Sequence, residues 1–402
     1  MRLFKHPMIY FILTDIVAFG LLFLYREPLD PKILVTCGIV LLLTLLAYFL
    51  IKYLHWGDEY LFLITSMLVT LGIAMLYRID YDIGMKQIGW FVAGIGVFAI
   101  SYILFRCISF WSEMGWFYFL VSIGLFILTQ LIGTTISGSK NWIFIGSYSF
   151  QPSEFIKVFF VLFIACYFGR TKDKKPRDKY KIMFATFIFC GFLILQREWG
   201  SMILLFAIYF FLLYIFRSDW GLLLLNAVMA AAVGVGGYLT LHHIQIRVET
   251  WLNPWANASG SGYQITQSLY AISAGNFFGT GIGLGLPKLI PEVTSDFIFA
   301  AICEELGIFG GVAVILLFFI LVYRGFKISL PLTGFNKVVA VGITLMLGMQ
   351  TFIIIGGVIK FIPLTGITLP FISYGGSSLV SSFAALGILQ AVSAKGVESD
   401  EC

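Results

Sequence analysis

Charged residues are scarce in this chain of 402 residues. Asp, Glu, Lys and Arg make up 12% of it, whereas 59% is hydrophobic. A soluble domain carries about a quarter charged residues, so the composition excludes a water-soluble globular protein. The net charge of +5 is small for so long a chain, and we expect no nucleic-acid partner.

Cysteine and histidine are also sparse, and neither is arranged for metal binding. The six cysteines lie in or near apolar segments, apart from Cys402, and their spacing matches no metal site or disulfide framework. Of the four histidines, only His242 and His243 are adjacent, and adjacent residues point to different faces of a helix. We therefore predict no metal site built from protein ligands.

Long apolar runs fill the chain instead. A run of about 20 apolar residues spans a bilayer as a helix, and we count about twelve such runs. They cover roughly residues 8–24, 32–53, 60–77, 87–105, 114–133, 153–169, 182–196, 200–216, 220–241, 297–323, 338–358 and 371–393. The predicted fold class is an all-α polytopic membrane protein, a bundle of about twelve transmembrane helices with a long loop, 242–296, before the tenth.

Basic residues indicate the orientation of the bundle. Lys and Arg accumulate in cytoplasmic loops, and their largest cluster lies after the sixth span, at 170–181. With twelve spans, this loop shares a side with both termini. Further basic residues on that side are Arg2, Lys5, Arg324, Lys327 and Lys337. We therefore predict both termini in the cytoplasm and the 242–296 loop outside the cell.

The rare acidic residues concentrate around the start of the tenth span. They are Glu292, Asp296, Glu304 and Glu305. A carboxylate near or inside a bilayer is costly and by default marks a functional site, and the charged form is favoured before a helix N-terminus. We predict Asp296 at the outer mouth of a large polar cavity, with Glu292 about one turn earlier on the same face. Glu304 and Glu305 are expected to support that cavity.

A second buried charge pair is predicted in the sixth span. Pro152-Ser153-Glu154 is a helix-start pattern, and Glu154 and Lys157 are three residues apart, so they share a helix face. We predict that they pair with each other or with charges on neighbouring helices and support the cavity. A structural salt bridge is the favoured reading, and direct catalysis is the alternative.

Polar loops at 138–154, 242–296 and 360–378 are predicted on the outer side, where they are expected to converge on one site. A short helix is predicted over 262–274, and the glycine run 279–285 predicts close backbone approach or a tight return to the membrane. The candidate substrate-binding residues of these loops and their flanks are Lys140, Trp142, Gln151, Arg197, Gln264, Gln267, Lys288, Glu292, Lys360, Ser373 and Ser377.

Six of these segments, in order, resemble the SEDS family (shape, elongation, division and sporulation), the RodA/FtsW/SpoVE group. They are 138–142 (GSKNW), 150–154 (FQPSE), 263–268 (YQITQS), 291–300 (PEVTSDFIFA), 304–307 (EELG) and 363–378 (PLTGITLPFISYGGSS). The family's usual Gln-Pro-Asp-Leu-Gly stands here as QREWG at 196–200, so no catalytic role is carried onto Glu198. Lys360 replaces a customary glycine.

The resemblance implies a peptidoglycan glycosyltransferase. Such proteins polymerise lipid II into glycan strands at the outer face of the cytoplasmic membrane, together with a class B penicillin-binding protein that crosslinks the strands. The essential acid of the family falls on Asp296, the candidate general base. Cations would stabilise the departing pyrophosphate, and the candidates are Lys140, Arg197, Lys288 and Lys360. A divalent cation, Mg²⁺ or Mn²⁺, is compatible with this chemistry, although no ligand cluster in the sequence demands it.

The resemblance also divides the chain into parts. Residues 1–58 form an added two-helix segment, 59–395 a ten-helix membrane core, and 396–402 a cytoplasmic tail. We predict that the added helices pack at the periphery and do not line the Asp296 cavity. Two alternative functions remain at this point, a lipid II flippase and a non-catalytic scaffold for cell-wall synthesis. A transporter is expected to carry inverted repeats, and the sequence has no visible repeat.

Overall fold

The computed structural model describes residues 7–25, 31–136, 138–146, 148–170 and 178–400. The predicted orientation signals Arg2 and Lys5, most of the basic loop (171–177) and Cys402 lie outside these residues. The described helices are α1 Pro7–Tyr25, α2 Pro31–Tyr53, α3 Glu59–Ile79, α4 Tyr81–Cys107, α5 Gly115–Ile132, α6 Pro152–Phe168, α7 Asp178–Leu195, α8 Trp199–Arg217, α9 Trp220–Thr240, α10 His242–Leu252, α11 Tyr263–Gly275, α12 Ile298–Ser329, α13 Gly334–Val358 and α14 Gly376–Asp400.

The twelve predicted spans all coincide with long helices. Ten of the described helices are long and apolar enough to cross a membrane. The other two are α6, which has 17 residues, and α7, whose first turn carries Asp178, Lys179 and Lys181. The all-α polytopic membrane fold is therefore confirmed. Helix α14 continues to Asp400, through most of the stretch expected as a tail.

The helices divide between two compact units. The first comprises the described residues within 1–109, 271–332 and 368–402. Helices α3 and α14 form its centre, since 83% and 89% of their apolar windows are buried. Close backbone approach joins α14 to α4, because a Cβ atom on Gly387 would lie 2.4 Å from the carbonyl oxygen of Phe98. The added helices α1 and α2 are only 28% and 33% buried and pack on α3 and on each other.

The second unit comprises the described residues within 110–270 and 333–367. Helix α13 forms its centre, with 83% of its apolar window buried, and packs against α6 and α8. Aromatic side chains fill the space between α5, α6 and α7. Phe189 contacts Phe126, Phe160 and Phe163 at ring-centroid distances of 5.5, 5.6 and 6.4 Å. This packing joins the middle of α6 to α5 and α7.

A small antiparallel sheet, which sequence analysis missed, precedes α6. Its strands are β1 Thr134–Ile136, β2 Ser139–Ile145 and β3 Tyr148–Phe150, with β2 in the centre. Asn141 and Ile143 are buried and Phe144 is exposed, which is the alternation of a half-buried strand. Gly138 and Gly146 both have positive φ and form the turns at either end of β2. The sequence signal was this pair of glycines around β-branched and aromatic residues.

The long loop before α12 is largely helical. It contains α10, the predicted short helix as α11, and 3-10 turns at Pro254–Asn257 and Pro287–Leu289. Helix α12 is 32 residues long and is interrupted at Gly307, where φ is 70° and ψ is −173°. The loop and this interruption together build the surroundings of the predicted acids.

Candidate functional site

Asp296 lies in a tight turn immediately before α12. The backbone N–H groups of Ser295, Asp296 and Phe297 all donate to the carbonyl oxygen of Glu292, at 3.2, 3.1 and 3.3 Å. The side chain of Asp296 is half-buried, two residues ahead of the first helical residue, Ile298. The N-terminal end of a helix favours a negative charge, so this position suits a carboxylate.

Glu292 does not share a helix face with Asp296, so that prediction is wrong. Its φ is 53°, in the left-handed region, because the chain turns sharply there before the helix begins. Its side chain is exposed. The prediction assumed that α12 extended back to Glu292, whereas the turn occupies residues 291–297.

The loop before α14, residues 368–375, holds the Asp296 turn in place. The hydroxyl of Ser373 donates to the carbonyl oxygen of Ser295 at 2.5 Å, and the N–H of Tyr374 donates to the carbonyl oxygen of Thr294 at 2.8 Å. Gln87 on α4 donates to the carbonyl oxygen of Ser373 at 3.1 Å. Ser373 and Tyr374 thus hold the backbone of the turn that carries Asp296.

Backbone strain accompanies this contact. Phe371 has φ of 66°, in the left-handed region that a bulky residue rarely adopts. The neighbouring Ile372 lies against α3, where a Cβ atom on Gly72 would lie 2.6 Å from the Ile372 carbonyl oxygen. Strained residues of this kind persist where the surrounding structure determines them, and they are concentrated at functional sites.

Glu304 is buried and fastens the glycine-rich loop to α12. Its carboxylate accepts a hydrogen bond from the N–H of Leu286 at 2.7 Å, and its backbone carbonyl accepts from the N–H of Thr280 at 2.9 Å. A Cβ atom on Gly285 would lie 3.0 Å from the Glu304 carboxyl carbon. The close backbone approach predicted for the glycines is therefore confirmed.

Glu305 holds the same loop together with Arg78 of α3. The carboxylate of Glu305 accepts from the N–H of Gly283 at 3.1 Å and forms an ion pair with Arg78 at 3.2 Å. The guanidinium of Arg78 also donates to the carbonyl oxygens of Gly283 and Gly285, at 2.7 and 3.1 Å. The two buried acids thus have a defined structural role, and their support of a substrate cavity stays a prediction.

The interruption of α12 at Gly307 makes room for this loop. A Cβ atom on Gly307 would lie 2.4 Å from the N–H nitrogen of Gly279 and from the carbonyl oxygen of Phe277. The N–H of Ile308 bonds to the carbonyl oxygen of Asn276 at 2.9 Å. The loop therefore satisfies backbone groups that the broken helix leaves open, as irregular backbone within a membrane requires.

In the second unit, the predicted pairing of Glu154 and Lys157 is confirmed. Their charged atoms are 2.7 Å apart, and the side chains are only 5% and 3% exposed. Lys157 also donates to the side-chain oxygen of Gln350 on α13 at 3.0 Å. Two buried charges and a neutral acceptor thus join α6 to α13.

Glu198 is an unpredicted centre of a polar cluster near this pair. One of its carboxylate oxygens accepts hydrogen bonds from Gln151, Ser153 and Ser201, at 3.0, 2.7 and 2.5 Å. Burial raises the pKa of Glu198, although the hydrogen bonds from Ser201 and Ser153 oppose the rise. The available sequence signal was a lone acid between two apolar spans, onto which the sequence carried no catalytic role.

The predicted cation Lys140 lies on β2 and is already engaged. The ammonium group of Lys140 donates to the carbonyl oxygen of Gln130 at 2.5 Å, and the backbone N–H of Lys140 donates to the carbonyl oxygen of Gln196 at 3.1 Å. The neighbouring Ser139 donates to the carbonyl oxygen of Arg197 at 3.0 Å. These bonds join the sheet to the loop between α7 and α8, in which Arg197 has φ of 58° and an exposed side chain.

Lys360 links two other loops of the same unit. Its ammonium donates to the carbonyl oxygen of Leu252 at 3.3 Å, and its own carbonyl oxygen accepts from the Trp251 indole at 3.2 Å. Arg247 donates to the carbonyl oxygen of Leu364 at 2.9 Å. The residue that departs from the family pattern thus fastens the end of α10 to the segment after α13.

The remaining predicted residues lie on four different parts of the chain. Gln264 and Gln267 lie on α11 and Trp142 on β2, all half-buried; Lys288 is exposed, and Ser377 is buried in the first turn of α14. Their substrate-binding roles stay predictions. Within the described ranges, no group of three or more His, Cys, Asp or Glu is placed to hold a metal ion.

The fold and these contacts define a multi-pass helical membrane protein with an acid at a strained loop–helix junction. A model of the FtsW/RodA/SpoVE family, described as cell cycle protein, matches residues 58–397. The chain therefore belongs to this family. The match begins one residue before α3 and leaves α1 and α2 outside.

Individual relatives agree with this membership. The chain is 30% identical over 370 residues to the peptidoglycan glycosyltransferase RodA of Mycobacterium tuberculosis, covering 85% of this chain and 79% of that protein. It is 35% identical over 360 residues to the stage V sporulation protein E of Bacillus subtilis, covering 84% and 96%. A solved chain from a peptidoglycan synthase complex shares the fold, with a TM-score of 0.71 at 24% identity over 85% of this chain and 98% of that one.

Proposed function

We propose that this protein is a peptidoglycan glycosyltransferase that polymerises lipid II into glycan strands. The observation that carries the proposal is the position of Asp296, which the sequence resemblance implies to be the essential acid. The side chain of Ser373 and the N–H of Tyr374 hold the carbonyl groups of the two residues before it, Ser295 and Thr294. Relatives at 30% and 33% identity are named as certain or probable peptidoglycan glycosyltransferases. An acid that is held this rigidly is suited to a reaction that depends on orientation.

In the proposed reaction, a sugar hydroxyl of one lipid II molecule attacks the anomeric carbon of another glycan unit. The bond to the pyrophosphate of the lipid carrier breaks, and the hydroxyl proton passes to the carboxylate of Asp296. General-base catalysis of this kind contributes roughly 10²–10⁴-fold in rate. The proton is then released to water, and the carboxylate is restored for the next addition.

The departing pyrophosphate needs positive charge. Lys288, an exposed residue in the turn before Asp296, is the candidate of the first unit. Lys140, Arg197 and Lys360 are those of the second, although the two lysines already bond to backbone carbonyls. A divalent cation, Mg²⁺ or Mn²⁺, bound by the pyrophosphate itself would supply the same stabilisation.

The proposal extends to the cellular setting. We place the protein in the bacterial cytoplasmic membrane with both termini in the cytoplasm, since basic residues accumulate in the loops on that side. A class B penicillin-binding protein is the proposed partner, in keeping with the synthase complex that shares this fold. Residues 1–58 are then an addition to the core of 59–395, and the cytoplasmic tail begins at 396.

Lipid II polymerisation by the purified protein tests this function. Fluorescent lipid II is incubated with the protein, alone and with its transpeptidase, and the glycan products are separated by length. Ladders of polymer are expected. Liposomes containing the same lipid II, scored for movement between leaflets, test the flippase alternative, and leaflet exchange without polymer would contradict the glycosyltransferase assignment. A scaffold would show neither activity.

A further inference from the structure

A cavity of about 510 Å³ lies in the first unit, where α2 ends and where α3 and the C-terminal end of α12 meet. This size is within the range of roughly 300–1,000 Å³ typical of ligand pockets. Its charged lining consists of Lys52, His55, Asp58, Glu59, Arg324 and Lys327. None of these residues takes part in the proposed reaction.

The floor of the cavity is fixed by α14. Gly57 has φ of 87°, and a Cβ atom there would lie 2.2 Å from the hydroxyl of Ser393. That hydroxyl accepts from the N–H of Asp58 at 3.0 Å, while Gln390 donates to the carbonyl oxygens of Trp56 and Asp58 at 2.7 and 2.9 Å. The turn that carries the lining is therefore rigid before any ligand arrives.

The two acids of the cavity already have partners. One carboxylate oxygen of Asp58 accepts from both nitrogens of the Arg324 fork, at 2.9 and 2.6 Å. The guanidinium also stacks on Tyr60, 4.0 Å from the ring centroid. Glu59 accepts from the hydroxyl of Tyr48 at 2.8 Å. The carboxylates are thus engaged within the wall, which leaves the lysines to determine what the cavity attracts.

Lys52 and Lys327 are exposed, and the ammonium of Lys52 lies 5.9 Å from the centroid of the Tyr48 ring. Together with Arg324, they place three cations against two carboxylates, which leaves one net positive charge. His55 adds a side chain that can donate a hydrogen bond. A phosphodiester, with one negative charge and several acceptor oxygens, complements this arrangement.

Exposed aromatic side chains lie on the two helices, α2 and α12, that contribute lysines to the cavity. On α2, Phe49 and Tyr53 are 55% and 82% exposed, and on α12, Phe319 and Tyr323 are 66% and 58% exposed. Tyr323 lies four residues before Lys327 and so shares its helix face. A ligand with a charged head and long apolar chains fits both features, whereas a small soluble anion would use only the first.

We propose that this cavity binds the head group of an anionic phospholipid of the surrounding bilayer, with Lys52 and Lys327 contacting the phosphate. Basic pockets between transmembrane helices on the cytoplasmic side bind such head groups. The site joins the added helix α2 to the core helices α3 and α12. It does not depend on the proposed reaction.

Native mass spectrometry of the full chain in detergent, titrated separately with phosphatidylglycerol and phosphatidylcholine, measures the preference for the anionic lipid. The wild type should prefer phosphatidylglycerol, and the double variant Lys52→Gln/Lys327→Gln should lose about fivefold of that preference for each lysine, hence about 25-fold. The charge-retaining Lys52→Arg/Lys327→Arg variant should keep it. Unchanged preference in the double glutamine variant would overturn the proposal.

A matched control removes the same charge elsewhere. Lys181→Gln/Lys337→Gln takes two lysines from the same predicted side of the membrane, outside the cavity, and should leave the preference intact. An equal loss in this control would mean that overall charge, and not the cavity, attracts the lipid. Complete displacement of phosphatidylglycerol by millimolar inorganic phosphate would assign the site to a soluble anion and contradict a lipid ligand.

Discussion

Replacing Lys157 with methionine would leave the carboxylate of Glu154 buried without its ammonium partner. The charged atoms of the pair are 2.7 Å apart, with the side chains of Lys157 and Glu154 3% and 5% exposed, and the ammonium also donates to the side-chain oxygen of Gln350. Methionine keeps most of the length of the lysine side chain, so packing changes little. The perturbation therefore isolates the charge.

The magnitude follows from this burial. Removing one partner of a buried ion pair costs about 3–5 kcal/mol, because the remaining charge has lost its compensation, whereas replacing both partners together is often nearly neutral. For a folding unit of this size, about 1 kcal/mol corresponds to roughly 2–4 °C in the unfolding midpoint. Lys157→Met should therefore lower the midpoint by roughly 6–20 °C. The double variant Glu154→Gln/Lys157→Met should recover most of that loss.

Thermal unfolding in detergent, followed by intrinsic tryptophan fluorescence, measures all three proteins in one buffer. The expected order of stability is wild type, then the double variant, then Lys157→Met. A midpoint for Lys157→Met that equals the wild type would contradict the reasoning. So would a double variant less stable than Lys157→Met, because the two losses would then be independent.

Three further predictions concern the loop and the polar clusters. Gly307→Ala should strongly lower the midpoint of thermal unfolding, since φ at this position is positive and the added Cβ atom would meet Gly279. The control Gly96→Ala places its Cβ atom in open space on α4 and should leave the midpoint unchanged. Equal midpoints for the two variants would refute this reasoning. Burial raises the pKa of Glu198 in the folded state, so ionising this carboxyl group lowers the stability of the protein. The wild-type unfolding midpoint should therefore fall as the pH rises above the ordinary glutamate range. Glu198→Gln should remove this pH dependence, and an unchanged pH dependence in the variant would exclude Glu198 as its source. Ser373→Ala should displace the Asp296 turn and so reduce lipid II polymerisation by about tenfold or more. Its loss of stability should be no greater than that of the control variant Ser66→Ala, which also removes a buried serine hydroxyl. Full activity of Ser373→Ala would show that the hydroxyl does not position the acid.

The membrane fold was predictable because each span carries its own signal. An apolar run of sufficient length predicts a helix without reference to the rest of the chain, and the first helix, for example, is found at Pro7–Tyr25 against a predicted 8–24. Glu154 and Lys157 were predictable for the same reason, since a spacing of three places them on one helix face. Local spacing sufficed in both cases.

The surroundings of the acids were not predictable, because they depend on contacts between distant segments. Ser373 and Ser295 are 78 positions apart, and Arg78 reaches a glycine 205 positions away. No local pattern predicts that the Glu305 carboxylate accepts a hydrogen bond from a glycine N–H, or that α12 is interrupted at Gly307 to make room for the loop. Glu292 was misplaced because helix periodicity was extended across a turn.

The small sheet was missed for a different reason. Residues 134–150 lie between two long apolar spans, and the position of a loop between spans does not by itself predict whether its residues pair as strands. The relevant signals were two glycines at turn positions, Gly138 and Gly146, on either side of an alternating segment. Such signals are weaker than an apolar run of membrane length.

The most direct test of the proposed function is lipid II polymerisation by the Asp296→Asn protein. Asparagine keeps the shape of the side chain and removes the base, so polymer formation should fall by about 10²-fold or more, while the unfolding midpoint stays near that of the wild type. The matched control Asp82→Asn changes an exposed carboxylate on α4 and should polymerise normally. Near-normal glycan synthesis by Asp296→Asn would contradict the central role given to this acid.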